Sequence, residues 1–157
     1  MAKFTGTFHH DYVLDAPLEV ARDHFADLDA VIANYGSTLE RAEKRGDGTL
    51  ALWLKEQNYG VTRFRGHYVC RWSTPDEHTV RWETLGEHNM DSRGTARFEA
   101  VGHGGTRLVY DIRIVLDIDV GRLLTKVIGK VVSQAIGREA RAYVDRLVAT
   151  LPVGRTA

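Results

Sequence analysis

The histidines are the first residues to test for chemistry, because metal sites and general bases commonly use them. His9 and His10 are adjacent in a segment that alternates like a β-strand, so their side chains point to opposite faces and cannot bind one metal ion together. The chain has no H-E-x-x-H motif and no Cys/His cluster at zinc spacing. We therefore predict no metal site and no cofactor.

A nucleophile is equally hard to find. Cys70, the single cysteine, shares the inward parity of Phe64 and Tyr68, and a buried cysteine usually behaves as a small apolar residue. The chain has no G-x-S-x-G turn, and the glycine-rich segment 102–105 joins two strands rather than opening a helix. The catalytic residues of an enzyme therefore stay unassigned, with His10 and Tyr12 as the only candidates for moving a proton.

A set of aromatic, hydroxyl and thioether side chains remains, most of them at inward positions of the predicted strands. Apolar walls with a few hydroxyl groups suit a hydrophobic, partly polar ligand, because tyrosine and tryptophan offer contact area and one hydrogen-bond donor each. Any one of these residues could equally be core packing. The predicted ligand-binding residues are Tyr12, Tyr35, Trp53, Tyr59, Phe64, Tyr68, Trp82, Met90, Ser92, Phe98, Tyr110 and Ser133.

The charge balance excludes some partners. The 157 residues carry 21 basic and 21 acidic side chains, and this zero net charge argues against nucleic-acid binding. The strand arginines share faces with acidic residues, which is typical of a solvated sheet face. No run of 18 apolar residues occurs, and the first residues lack a signal-peptide pattern. The lone cysteine and the lack of an N-x-S/T acceptor fit a reducing compartment, so we expect a cytoplasmic protein.

Several short strands and two short helices must position these side chains. Alternating apolar residues predict strands at 3–14, 39–44, 50–55, 60–72, 80–83, 89–101 and 108–117. Pro17 favours a helix start, and Gly36 ends a second short helix that begins at Leu28. We expect a single domain over residues 1–151, with 152–157 as a frayed tail.

The last predicted element is a helix over residues 120–151, which at ~1.5 Å per residue would span about 48 Å. Its apolar face rotates by nearly half a turn around Gly137, so one straight helix cannot bury both stripes against one sheet. Either the helix breaks at Gly137, or it continues and leaves a stripe outward. That stripe, which could form a homodimer, consists of Leu124, Ile128, Val131 and Ala135. Membrane contact is the least favoured alternative, because Arg122, Lys126 and Lys130 supply modest charge.

The order of elements resembles the helix-grip fold of the START and pollen-allergen-like (SRPBCC) superfamily. The matching residues are 8–20, with Ala16-Pro17-Leu18-Glu19-Val20 at the helix start, and then Phe25-Ala26-Asp27-Leu28. The resemblance implies an α+β fold, with a curved antiparallel sheet of about seven strands around a long C-terminal helix. It points to the polyketide cyclase/dehydrase branch or to the branch that is similar to an accessory component of carbon monoxide dehydrogenase.

Three functions are compatible with that resemblance. The first is binding or transport of a small hydrophobic molecule, such as a lipid, polyketide or isoprenoid, between sheet and helix. The second is a polyketide cyclase or aromatase, in which the cavity folds a reactive chain. The third is an accessory or assembly protein that acts through the outer stripe of its helix. The absence of a paired acid and base favours the first.

Overall fold

A computed structural model describes residues 2–152, which form three helices and a seven-stranded antiparallel sheet in a helix-grip α+β fold. Five strands of the sheet are β1 (Ala2–Leu14), β6 (His67–Asp76), β7 (Thr79–Thr84), β8 (Met90–Val101) and β9 (Gly105–Ile118). The sheet also contains β2 (Leu39–Lys44) and β3 (Thr49–Leu54), while β4 (Gln57–Asn58) and β5 (Arg63–Phe64) lie outside it. The helices are α1 (Leu18–Ala26), α2 (Leu28–Asn34) and α3 (Arg122–Ala149). Residues 153–157 of the predicted tail lie outside the described range.

The sheet runs in the order β1-β9-β8-β7-β6-β3-β2, and β4 with β5 makes a separate two-stranded ribbon. Side chains alternate across the sheet, so one face packs against the helices while the other meets solvent. On β8 the inner face carries Met90, Ser92, Ala96 and Phe98, all of which are buried. The alternation in the sequence therefore predicted which face of this strand forms the core.

The outer face of the sheet carries cross-strand ion pairs. The Glu83 carboxylate on β7 lies 3.7 Å from the Arg71 guanidinium on β6 and 4.0 Å from the Arg93 guanidinium on β8. Asp91 adds a second partner for Arg93 at 3.1 Å. Exposed pairs of this kind contribute little to stability, about 0–1 kcal/mol each, but they keep the face polar.

The strand predicted at residues 60–72 is wrong in its first part. Gly60 has a φ of +89°, a conformation that glycine adopts readily, and the Tyr59 N–H donates to the Thr62 carbonyl at 2.9 Å. The chain therefore turns and pairs β4 with β5 before β6 starts at His67. The inward parity of Phe64 survives this change, and the ribbon covers one side of the space between sheet and α3.

The long helix is continuous through Gly137, so the break that we considered does not occur. Its buried residues follow mostly at intervals of four, and each such step turns the buried face by about 40°. The face thus spirals along the twisted sheet and joins the two apolar stripes seen in the sequence. These residues are Ile128, Val132, Ile136, Ala140, Val144 and Leu147. None of the helices within residues 2–152 combines the length and the apolar composition needed to cross a membrane.

This spiral also corrects the predicted outward stripe. Ile128 is only 3% exposed, because it belongs to the buried ridge, and Ala135 is half-buried. Leu124 and Val131 do remain exposed. A dimer seam through all four residues is therefore not available on the surface.

Helix α3 presses closely against β1. A Cβ atom on Gly6 would lie 2.4 Å from Ile136 Cγ2, a distance that real side chains do not reach. Next to this contact the Ser133 hydroxyl donates to the Thr5 carbonyl at 2.7 Å. A Cβ on Gly137 would lie 3.5 Å from the Thr7 carbonyl oxygen. Small residues therefore bring the helix onto this strand, and Gly137 lies at the contact without breaking the helix.

We predict that Gly6→Ala lowers the free energy of unfolding by about 1–3 kcal/mol, because the added methyl overpacks the contact with Ile136. Urea unfolding followed by circular dichroism measures the change. Gly102→Ala is the matched control, since a Cβ there meets nothing within 4 Å. If both variants unfold at the same urea concentration, the close approach at Gly6 does not limit stability.

Candidate functional site

A cavity of about 280 Å³ lies between the inner face of the sheet, α3 and the β4–β5 ribbon. This volume is close to the lower end of the range for small-molecule sites, about 300–1,000 Å³. Eight of the twelve predicted ligand-binding residues lie on its wall: Tyr35, Tyr59, Phe64, Tyr68, Trp82, Met90, Ser92 and Tyr110.

An aromatic stack forms part of the cavity wall on the sheet side. The rings of Trp82 and Tyr110 stack with centroids 5.1 Å apart and planes inclined by 29°. Trp82 pairs with Gly94 across β7 and β8, and a Cβ on Gly94 would lie 2.4 Å from the indole ring. Gly94 therefore leaves room for the indole to lie across the sheet and beside Tyr110.

Two tyrosine hydroxyls meet in the cavity wall. The Tyr35 and Tyr68 hydroxyl oxygens are 2.8 Å apart and share one hydrogen bond. Tyr35 ends α2, and the Arg146 guanidinium of α3 donates to the carbonyls of Asn34 and Tyr35, at 2.8 Å each. Gly36 follows with a φ of +100°, in a position where a Cβ would collide with Arg146. This arrangement fixes the backbone that carries Tyr35.

Two further hydroxyls belong to the cavity wall. Within residues 2–152 neither the Tyr110 nor the Tyr143 hydroxyl makes a hydrogen bond, and both side chains line the cavity. The Tyr143 ring lies 6.0 Å from that of Tyr35. Together with Tyr59 and Ser92, these four tyrosines offer a ligand hydrogen-bonding groups on walls that are mostly apolar.

Charged and polar residues gather where the cavity opens. Asn58 of the ribbon and Arg138 and Glu139 of α3 line the cavity and are exposed. Val131 lines it too, while 52% of its surface stays exposed. The mouth of the cavity thus lies between α3 and the ribbon.

Burial raises the pKa of the tyrosines in the wall. Desolvation is the largest cause for Tyr35, Tyr68, Tyr110 and Tyr143, and neighbouring phenols and Cys70 add to it at most of these positions. The phenols are therefore neutral at physiological pH and act as hydrogen-bond donors and acceptors, not as phenolate bases.

Four predicted residues lie away from the cavity. The Tyr12 hydroxyl donates to the Asp145 carboxylate at 3.1 Å, and Ser133 is held by β1 as described above. Trp53 stacks on His67 at 4.8 Å, with the Arg41 guanidinium 4.0 Å from its ring centre. Phe98 packs edge-on against Phe25 in the core. Tyr12 and Phe98 have inward parity, but parity does not reveal how far along the sheet the cavity extends. Trp53 has the opposite parity to the buried Leu52 and lies on the outer face of β3, and Ser133 belongs to the helix, where strand parity gives no information.

The residues considered for proton transfer are also outside the cavity. His10 is exposed and contacts the Tyr12 ring at 4.7 Å, so neither residue reaches a cavity ligand. Cys70 is fully buried, and desolvation raises the pKa of its thiol. Among residues 2–152, no three His, Cys, Asp or Glu side chains gather as metal ligands do.

Sequence reasoning missed some wall residues that carry chemistry. Trp72 shares the parity of Tyr68, so the signal was present in the alternation. Tyr143 lines the cavity too, but it belongs to the second apolar stripe of the helix, which the sequence predicted to be part of the core. Nothing in the sequence marked Arg138 and Glu139, because their place at the mouth depends on how α3 crosses the sheet.

The seven-stranded sheet, the long C-terminal helix and the cavity between them define a helix-grip class of protein. A family model described as "Polyketide cyclase / dehydrase and lipid transport" matches residues 1–152. The chain belongs to this family, within the START and pollen-allergen-like superfamily. No protein with a curated description matches the sequence.

Solved structures share the fold at low sequence identity. A conserved protein from Geobacillus kaustophilus is 10% identical with a TM-score of 0.68, covering 94% of this chain and 95% of that one. The Zhui aromatase/cyclase from Streptomyces sp. R1128 is 11% identical with a TM-score of 0.62 and covers 92% of each chain. Norcoclaurine synthase from Thalictrum flavum, in complex with dopamine and hydroxybenzaldehyde, is 11% identical with a TM-score of 0.62, covering 99% of this chain and 91% of that one.

We predict that the free energy of unfolding falls as the pH rises above about 10, the ordinary pKa of tyrosine. Between that value and the raised folded-state pKa, the folded protein holds more protons than the unfolded chain, so rising pH favours unfolding. Urea titrations at several alkaline pH values measure the slope. Tyr35→Phe should make it shallower, and an unchanged slope would mean that Tyr35 ionises as easily in the folded state.

Proposed function

We propose that the protein binds a small, uncharged, hydrophobic molecule with one or two polar groups in the cavity between sheet and α3. The observation that carries this proposal is the combination of mostly apolar walls with five neutral tyrosine side chains. Removal of apolar surface from water supplies most of the affinity, and a ligand that buries ~200 Å² would gain about 5 kcal/mol at about 25 cal/mol per Å².

The polar groups of the wall would orient the ligand. The Tyr35–Tyr68 pair and the Tyr110 and Tyr143 hydroxyls can donate to a carbonyl or accept from a ligand hydroxyl. A charged group would lose its hydration among these walls with no opposite charge beside it, at a cost of several kcal/mol. Arg138 and Glu139 at the mouth are the nearest partners for a charged end.

The family description and two of the structures with a similar fold support a particular class of ligand for this proposal. The family description combines polyketide cyclases with lipid transport, and two of the similar folds are an aromatase/cyclase and an enzyme complexed with two small aromatic molecules. The Trp82–Tyr110 stack offers a flat aromatic surface of the kind that packs against a planar ring. An aromatic or polyketide-like ligand is therefore the form of the proposal that we favour.

A second candidate function is cyclisation of a polyketide-like chain. The hydrogen-bonded Tyr35–Tyr68 pair favours it, because a neutral phenol in a desolvated cavity can polarise a ketone as carbon–carbon bond formation begins. In an aldol cyclisation the enol carbon of the chain attacks the ketone carbon and the π bond of that ketone breaks. The ketone oxygen takes up a proton and becomes a hydroxyl, while the enol O–H loses its proton and becomes a carbonyl. The new hydroxyl later leaves as water together with a hydrogen from the adjacent carbon. Incubation with a short poly-β-ketone and mass detection of the loss of water distinguishes this function from binding alone.

The direct test of binding is native mass spectrometry of the purified protein, followed by titration with a flat aromatic polyketide such as an anthraquinone. A complex with one molecule per chain supports the proposal. If the anthraquinone and a fatty acid both fail to bind at millimolar concentration, the cavity is not a ligand site for either class.

We predict that Trp82→Phe weakens binding of the anthraquinone probe about tenfold, because the variant loses part of the stacking surface. Trp53→Phe is the matched control, since Trp53 lies outside the cavity. Isothermal titration of the probe into each variant gives the two dissociation constants. Equal losses in both variants would place the binding site elsewhere on the protein.

A further inference from the structure

We propose that the N-terminal half of α3 docks onto an anionic lipid bilayer and thereby places the mouth of the cavity at the membrane surface. The docking surface consists of an exposed apolar row, Leu123, Val127 and Val131, and a basic row, Arg122, Lys126 and Lys130. Docking itself does not depend on the proposed function. Only the exchange of a ligand between bilayer and cavity does.

The apolar row is unusually exposed. Leu123 is 88% exposed, Val127 65% and Val131 52%. Large apolar side chains that stand together in water mark a surface that meets a partner or a membrane. These three follow one another at intervals of four, so they form one row within an arc of about 80° on the helix.

Each apolar residue in this row follows a basic residue. Arg122, Lys126 and Lys130 are exposed and lie about 100° around the helix from the apolar row. The buried ridge that includes Ile128 and Val132 lies on the other side of that row. Around its circumference the helix therefore presents a basic row, then an exposed apolar row and then a buried row. A basic face beside an exposed apolar face is typical of helices that lie in a membrane interface.

The positive charge of this segment favours an anionic bilayer as the partner that covers the docking surface. Residues 120–138 contain four basic side chains and no acidic one, in a chain whose total charge is zero. Anionic lipid head groups attract such a segment by about 1 kcal/mol per Lys or Arg near the surface. A second copy of this chain fits less well, because a two-fold contact would bring two basic rows together with no acid between them.

The docking surface continues into the cavity mouth. Val131 belongs to the apolar row and also lines the cavity, and Arg138 lies two turns further at the mouth. A bilayer that covers Leu123 and Val127 would therefore reach the opening between α3 and the ribbon. An apolar ligand could then pass between lipid and cavity without crossing bulk water.

Sedimentation with lipid vesicles tests the proposal. The full chain should bind vesicles of phosphatidylcholine with phosphatidylglycerol, bind pure phosphatidylcholine at least tenfold more weakly, and be released from the anionic vesicles by salt. Val127→Asp should weaken anionic binding about tenfold or more. Val13→Asp is the matched control, because Val13 is 82% exposed at the C-terminal end of β1, outside the docking surface. This variant should bind anionic vesicles as the wild-type protein does.

A second pair of variants tests the charge. Lys126→Gln with Lys130→Gln should weaken anionic binding about tenfold, whereas Lys44→Gln with Arg45→Gln, which remove the same charge at the β2–β3 turn, should leave it unchanged. Circular dichroism confirms that each variant folds.

Three outcomes would overturn the proposal. They are no binding to anionic vesicles, equal binding to both vesicle types, and equal losses for Val127→Asp and Val13→Asp. A dimer that Val127→Asp disrupts, in a protein that does not bind vesicles, would assign the surface to a second copy. Without vesicles, Val127→Asp should bind the anthraquinone probe as wild type does, because Val127 does not line the cavity, and this separates docking from the proposed function.

Discussion

The close contact between α3 and β1 is the constraint on which the rest of the structure depends. With no side chain at Gly6, Ile136 can lie directly against the strand, and the Ser133 hydroxyl is bonded to the Thr5 carbonyl beside it. The helix is thus held against one edge of the sheet. Because the sheet curves and twists away from that edge, space remains between the helix and the strands further along. The cavity is a consequence of where the helix is held.

The chemistry of the cavity follows from the burial of the side chains in its wall. Burial raises the pKa of the wall tyrosines and keeps them neutral, so their hydroxyls serve as hydrogen-bond partners without introducing charge. Arg146 and Gly36 fix the end of α2 and thereby the position of Tyr35, whose hydroxyl meets that of Tyr68 on the sheet. Such a cavity selects by shape, apolar area and one or two hydrogen bonds, and the same features that bind a ligand could polarise a ketone.

The same helix serves two surfaces because its buried ridge spirals. Near the C-terminal end of α3 the buried ridge packs Val144 and Leu147 into the core. Near the N-terminal end the ridge has turned, and the apolar row that includes Val127 is left exposed. The second surface lies next to the cavity mouth, which links the proposed membrane contact to the proposed ligand. The relatives with similar folds show how much of this architecture persists at 10–11% identity, while the chemistry of each site is set by its own side chains.

The sequence by itself determined the fold class, the order of the main strands and helices, and the inward parity of Tyr68, Trp82, Ser92 and Tyr110. These are consequences of local periodicity, turn residues and helix-start residues, which a short window of sequence carries. It could not determine that β4 and β5 form a ribbon, that Ile128 is buried, or that Tyr12 and Trp53 lie outside the cavity. The tertiary structure decided those points, because they depend on where a continuous helix crosses a curved sheet, and contacts between residues far apart in the chain set that crossing.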